Sequence, residues 1–352
     1  MSATSEPGRP AGRAVTVRGP VPVADLGLTL FHEHLHMDAS PLLAVHGYQT
    51  DSDRPFDAEA AAEARWNPGS HPDNYRFTQD ALVAAELGRF RDAGGRCVVE
   101  QTPPALGREP RALYRIATDS RVHVVMGTGH YLGPTHEPWV ASASVDDIAA
   151  RIVAEFREGA STSGIRPGII GEVGTSIPVQ AEELRVLRAM ARAARETGLA
   201  VSVHLHPWGR TGHDVLEALL ADGLAPERIV LGHLTTAGDD EVYLRGLADR
   251  GVGLAFDLFG FDHSLIGIGR WPPSDADVAD TVVSLFRAGL GSQVFISHDI
   301  GVRTRLVAYG SWGYAHIPRH VVPLLLERGL TDADVAQLLV SNPARVLAVE
   351  GL

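Results

Sequence analysis

Leu26-Gly27-Leu28-Thr29-Leu30-Phe31-His32-Glu33-His34 is an apolar run that ends in two histidines one residue apart. It reads as a buried strand near the start of the folded region. Successive strand side chains alternate faces, so His32 and His34 leave the strand end on the same side, about 7 Å apart along it. Two imidazoles fixed on a rigid strand can converge on one metal ion. Histidine is also a common metal-free polar residue, so the meaning of the pair depends on what stands at later strand ends.

Seven more short apolar runs follow: Val98-Val99-Glu100, Val124-Val125-Met126, Ile169-Ile170-Gly171-Glu172, Val201-Ser202-Val203-His204, Val230-Leu231-Gly232-His233, Leu254-Ala255-Phe256-Asp257 and Phe295-Ile296-Ser297-His298-Asp299. Between them lie Ala- and Leu-rich helical segments such as Asp80 to Ala93, Gln180 to Glu196 and Val278 to Ala288. Strands alternating with helices predict βα units and a parallel sheet. Eight units in about 320 residues suit a single α/β domain, a (β/α)8 TIM barrel whose active face gathers the C-terminal strand ends. A doubly wound open sheet is the structural alternative. No Gly-x-Gly-x-x-Gly follows the first strand, which weakens a dinucleotide-binding version of it. Residues 16–352 are expected to form the one barrel domain. Residues 1–15, polar and rich in Pro and Gly at their start, read as a disordered tail, not a signal peptide.

Composition excludes several function classes. The 352 residues carry a net charge of −12, which argues against nucleic-acid and anionic-membrane partners. No run is long and apolar enough to span a bilayer. Cys97 is the only cysteine, so no intramolecular disulfide can form and a reducing, cytoplasmic setting is expected. All 31 basic residues are arginine. The missing lysine removes Schiff-base and pyridoxal-phosphate chemistry, a lysine general base and a P-loop.

The strand ends collect a ligand set. His32, His34, Glu172, His204, His233 and Asp299 offer four imidazoles and two carboxylates, a mixed N/O set suited to zinc or a similar divalent ion. Six donors exceed one tetrahedral zinc and suit two divalent metal ions sharing a bridging carboxylate and water.

With these residues in view, the chain resembles the phosphotriesterase family of the amidohydrolase superfamily, from about Gly19 to the C-terminus. The likeness rests on Thr29-Leu30-Phe31-His32-Glu33-His34, Gly171-Glu172-Val173-Gly174-Thr175-Ser176, Gly232-His233, Ser297-His298-Asp299, Gly313-Tyr314-Ala315-His316-Ile317 and Ser341-Asn342-Pro343-Ala344-Arg345. The resemblance implies that His32, His34 and Asp299 hold the more buried metal and His204 and His233 the more exposed one, bridged by a carboxylate from the fourth strand. Many family members make that bridge from a carbamylated lysine. Glu172 stands in the matching place here, as in the phosphotriesterase-related branch, so assembly should not depend on bicarbonate. A homodimer is also implied.

Other positions carry weaker expectations. His206 shares a face with His204 and is expected near the pocket. His298 should point away from Asp299 into packing. Asp257 can orient a ligand, contact substrate or make a structural hydrogen bond. The family likeness puts Tyr131 above the metals. Residues 39 to 77, 258 to 275 and 301 to 318 form long loops after the first, seventh and eighth strands and should line or cover the pocket. They carry Trp66, Phe259, Phe261, Trp271, Trp312 and Tyr314, and the cations Arg270, Arg303 and Arg305 that an anionic substrate end could meet. Tyr131, Leu258 and Trp271 are the candidate substrate contacts.

The chemistry expected is hydrolysis by a water activated between two metals, with Asp299 accepting its proton and passing it to the leaving group. Family phosphotriesterases relay that proton through a histidine and a second aspartate, at places that look like Leu258 and Thr236 here. Lactonase relatives tend to carry an arginine at the Leu258 place. Both departures point to a carboxyl ester, lactone or N-acyl amide as substrate, with weak phosphotriesterase activity at most. A genuine phosphotriesterase, a mononuclear deaminase-like enzyme and an idle metal-binding scaffold are the alternatives.

Overall fold

The computed structural model describes residues 12–50, 53–263 and 270–352. Eight parallel strands, β1 (Leu28–Glu33), β2 (Gly95–Glu100), β3 (His123–Thr128), β4 (Ile169–Gly174), β5 (Val201–His204), β6 (Ile229–Leu231), β7 (Gly253–Phe256) and β8 (Val294–Ile296), pair in sequence order. All eight coincide with the apolar runs. The sheet nearly closes into a barrel: the Asp299 amide donates to the His32 carbonyl at 3.1 Å, and the His32 amide to Ser297 Oγ at 2.9 Å. The chain therefore adopts the (β/α)8 architecture, its last strand lying beside its first.

Two packed layers follow from strand alternation. Phe31, Val99, Val125, Ile169, Val230, Ala255 and Phe295 are buried in one cluster to which each strand or its first residue contributes, with Ala200 leading into β5. This is the barrel interior. Leu30, Val98, Val124, Ile170, Val201, Leu231, Leu254 and Ile296 face the other way and pack under the helices. Helix boundaries are set by side-chain caps. Ser144 and Asp147 open Val145–Glu158, and Ser274 and Asp277 open Asp275–Arg287, each pair satisfying amides that the first turn leaves free.

Plain alternation does not describe the strands that carry His32, His34 and Glu172. Between Leu30 and Glu33 β1 carries one residue more than its partner β2, and β4 does the same against β5 between Ile170 and Val173. These bulges let His32 turn toward the barrel axis directly after the inward Phe31, and they re-aim Glu172 in the same way.

The folded region begins earlier than expected. Arg13–Thr16 pairs antiparallel with Gly19–Pro22 and bridges to Val349, so residues 13–15 belong to the folded region, not to a tail. The remainder of that tail, residues 1–11, lies outside the described residues, as do 264–269 of the loop after β7. The long connection after β1 is partly helical, with Pro41–Val45 and Ala58–Trp66 and a short antiparallel pairing of Met37–Asp38 with Arg76–Phe77. Among the described residues no helix is long and apolar enough to cross a membrane.

Candidate metal centre

The six strand-end donors meet at the C-terminal mouth of the barrel. His34 Nε2 lies 3.1 Å from Asp299 Oδ1 and 3.5 Å from Glu172 Oε1; His32 Nε2 lies 3.5 Å from Glu172 Oε2 and 3.9 Å from Asp299 Oδ1. On the other side of Glu172, Oε2 is 3.0 Å from His204 Nδ1 and 3.6 Å from His233 Nε2. His32, His34 and Asp299 make one compact group and Glu172, His204 and His233 another. Glu172 reaches both, one oxygen toward His34 and the other toward His204. His233 and Asp299 both have positive φ, 57° and 53°, in the left-handed region that non-glycine residues rarely enter. Such strain is concentrated where a side chain must be aimed at a site.

Three of the four imidazoles are held from behind. His32 Nδ1 meets Asp257 Oδ2 at 2.9 Å and His233 Nδ1 meets Asp257 Oδ1 at 3.1 Å, while His34 Nδ1 meets Thr102 Oγ1 at 2.9 Å. The Tyr314 hydroxyl donates to the His34 carbonyl at 2.6 Å. Asp257 is thus an orienting group for two histidines, one of the roles its strand-end position left open. Glu33, between the two histidines, faces away from them. It accepts from Ser297 Oγ, the His298 and Ile300 amides and His298 Nδ1 at 2.6 to 3.0 Å, tying the exit of β8 to β1.

The electrostatics suit cations. Burial lowers the affinity of His32 for a proton, yet Glu172, Asp257 and Asp299 outweigh it and raise its pKa well above the ordinary value. Burial likewise opposes, and Asp257 and Glu172 prevail at, His233, whose pKa rises to about 10. His204 is instead lowered, by burial and then by His233. Burial pushes Glu172 and Asp299 up, but the surrounding imidazoles hold both below the usual carboxylate range. The carboxylates that favour a proton on His32 and His233 equally favour a metal cation there. His32 Nε2 is buried with no hydrogen-bond partner, and His233 Nε2 sits 2.8 Å from His204 Nδ1. Four nitrogens and two carboxylates so placed fit divalent ions with N/O preference.

Above the donors opens a cavity of about 370 Å³. Tyr131 and Leu258 line it, as expected, and the Tyr131 hydroxyl is 3.3 Å from His204 Nδ1. His206 lines it too, its Nδ1 buried without a partner. Trp271 does not. It is 49% exposed and packs on Trp66 with ring centroids 5.9 Å apart, a contact that takes its ring elsewhere. The loop arginines are also displaced from the role considered for them. Arg305 is buried behind the cavity, donating to the carbonyls of His298, Asp299 and Phe259 at 2.5 to 2.9 Å. Arg303 is buried against the Arg76 carbonyl, and Arg270 is exposed. Among the described residues no arginine lines the cavity. His298 packs, bonding Glu33 through Nδ1 and the Ile317 amide through Nε2. Thr236 donates to the Pro207 carbonyl, and Leu258 is apolar, so neither transfers a proton.

Sequence reasoning passed over Glu33, Thr102 and His263, which lines the cavity. The parity that put His32 and His34 on one face also put Glu33 on the other, so its structural role was readable. Thr102 and His263 carry no local signal.

Comparison with known proteins places this architecture. Over 341 residues the chain is 33% identical to the N-acetyltaurine hydrolase of Danio rerio, covering 96% of this chain and 98% of that protein. A resiniferatoxin-binding protein from Rhodobacter sphaeroides superposes with a TM-score of 0.91 at 38% identity, over 96% of this chain and 95% of that one. The phosphotriesterase homology protein from Escherichia coli, solved with phosphate in its active site, gives a TM-score of 0.76 at 28% identity, over 92% of this chain and 99% of that one. Residues 12–347 match the phosphotriesterase family along nearly the whole barrel, and the chain belongs to that family.

Proposed function

We propose that this chain is a metal-dependent hydrolase of N-acyl amides that works with two divalent ions, zinc by the character of the donors. The observation that carries the reading is the convergence of His32, His34, Glu172, His204, His233 and Asp299 on the floor of a largely apolar cavity. The amide named in the activity of its full-length relatives supplies the substrate class. His32, His34 and Asp299 would hold one ion and His204 and His233 the other, with Glu172 shared between them. Such a pair, when bound, acidifies a water molecule and polarises a carbonyl oxygen.

The remaining steps belong to the protein. Asp299, ionised at rest because His34 and the other imidazoles hold its pKa down against burial, accepts the proton of the attacking water and returns it to the departing nitrogen. Burial, Glu172 and Asp299 keep the Tyr131 phenol protonated, so it offers a hydrogen-bond donor beside His204. Asp257 keeps the Nε2 atoms of His32 and His233 turned inward. With Leu258 and Thr236 in place of a proton relay, phosphotriesters should be poor substrates. Carboxyl esters and lactones undergo the same attack, and the apolar wall of Met37, Leu42, Leu106 and Phe261 suits their acyl chains, which makes them the second reading. We also read the chain as a cytoplasmic homodimer. Buried Cys97, whose thiol burial pushes up to about 12, suits a reducing compartment, and the exposed Trp66, Trp271 and Trp312 would be sheltered by a second copy.

The test is a hydrolysis screen of the metal-reconstituted protein across N-acyl amines, lactones, aryl esters and phosphotriesters, with Asp299→Asn as control. N-acyl amides should lead, and the variant should lose most of its kcat. Phosphotriesters turned over better than every carboxyl substrate, or full activity in Asp299→Asn, would overturn the reading.

A further inference from the structure

His263 lines the cavity and is 2% exposed, yet neither of its ring nitrogens has a hydrogen-bond partner. An imidazole always carries at least one N–H and, when neutral, one lone pair. Leaving both unused in a buried place is costly, and native structures tolerate it chiefly where a ligand completes the bonding. The surroundings say what kind of ligand. Phe261 packs edge-on against the ring, with centroids 4.3 Å apart, and Arg305 stacks over Phe261 at 4.4 Å. Burial and then the charges of Arg305 and Arg65 push the His263 pKa down to about 3, so the ring is neutral. In the field of those two cations the tautomer with its lone pair nearer the guanidinium groups is favoured, which turns the N–H away from them. Terminal guanidinium nitrogens of both arginines bond backbone carbonyls, Arg305 those of His298, Asp299 and Phe259 and Arg65 that of Tyr309, and neither arginine lines the cavity. A neutral His263 ring in the cavity wall carries one N–H that no protein group among the described residues accepts, a donor free for a bound anion.

We propose that His263 is a specificity-determining residue that donates its ring N–H to an anionic group, a carboxylate or sulfonate, on the amine side of the scissile amide. This rests on the N-acyl amide reading and narrows it to acylated amino acids and aminosulfonates. Such a site holds the anion without an arginine in the cavity wall.

Three probes share one skeleton: N-acetyltaurine and N-acetyl-β-alanine are anionic, and N-acetylethanolamine is not. His263→Phe keeps the packing against Phe261 and removes the donor. It should raise KM for both anionic probes, relative to N-acetylethanolamine, by about tenfold or more while leaving their kcat in the same range. His263→Gln, which restores an N–H, should recover most of the lost preference. Equal changes for all three probes, or no change in the ratio, would overturn the proposal. Turnover by the unaltered protein tests the amidase reading separately. If it cleaves none of the probes, calorimetric affinity of the metal-loaded protein for N-acetyltaurine decides. Weakening in His263→Phe supports the assignment, whereas unchanged affinity or no binding at all overturns it.

Discussion

Nδ1 of His32, at the end of β1, lies 2.9 Å from Oδ2 of Asp257, at the end of β7. The other oxygen of the same carboxylate lies 3.1 Å from His233 Nδ1 and accepts from the His233 amide at 3.0 Å. One buried side chain thereby sets the tautomer of two imidazoles, leaving the Nε2 lone pair of each for the site. Gly232 makes room for it: a Cβ there would stand 3.1 Å from Asp257 Oδ2 and 2.9 Å from the Val203 carbonyl.

Asp257→Ala should therefore weaken metal retention about 10- to 100-fold, the usual cost of losing a group that orients a ligand. Asp257→Asn, which can still accept one of the two bonds, should fall between. Competition with a chelator measures this without reference to turnover. Retention equal to that of the unaltered protein would deny Asp257 its orienting role.

Glu172 spans both groups of donors, with Oε1 toward His34 and Oε2 toward His204. A side-chain carboxylate needs no carbon dioxide to form. Reconstitution should then reach two metal equivalents per chain whether or not bicarbonate is added, and Glu172→Ala should retain one or none. Elemental analysis of the dialysed protein reads both. A requirement for bicarbonate would show that the bridge is made by something else.

The sequence revealed the barrel because each strand is a short apolar run ending in a polar group, and the βα spacing leaves few alternatives. It revealed the donors for the same reason, since His32, Glu172, His233 and Asp299 all terminate such runs. Their supports were harder to see. Asp257 meets His32 across 225 residues, and no local pattern announces a bond of that range. The bulges in β1 and β4 are equally silent, although they turn His32 and Glu172 inward. Loop residues were read least well: Trp271 lies outside the cavity, Arg305 behind its wall, and His263 in it. Side chains on long loops take their direction from tertiary packing, not from strand periodicity.

Glu33 is fully buried, and its pKa lies below the ordinary value because His298, Ser297 and the Ile300 amide overcome the effect of burial. It closes the barrel between β1 and β8. Glu33→Ala strands four donors at once and should destabilise the fold by about 3–5 kcal/mol. Urea denaturation of the two proteins at pH 7 gives the difference. A loss below about 1 kcal/mol, the level of an ordinary surface substitution, would mean that this carboxylate does not secure the closure.

His130, at the exit of β3, links stability to pH. Burial, then His136 and Arg151, lower its pKa from 6.5 to about 4, with Glu137 and Glu182 pulling the other way. Its Nε2 is buried without a partner, and its ring packs on Trp139. At pH 7 the ring is neutral in both native and unfolded chains and contributes no pH dependence. As pH falls below 6.5 the unfolded chain binds a proton that the native state refuses, so stability drops by about 1.4 kcal/mol per unit until the native group titrates near 4. The total from this residue is about 3 kcal/mol. His130→Phe removes it, so between pH 7 and pH 4 the variant should gain about that much on the unaltered protein. Acid release of metal acts on both chains and cancels in the difference. Parallel stability curves for the two proteins across this range would show that His130 is not held neutral in the native fold.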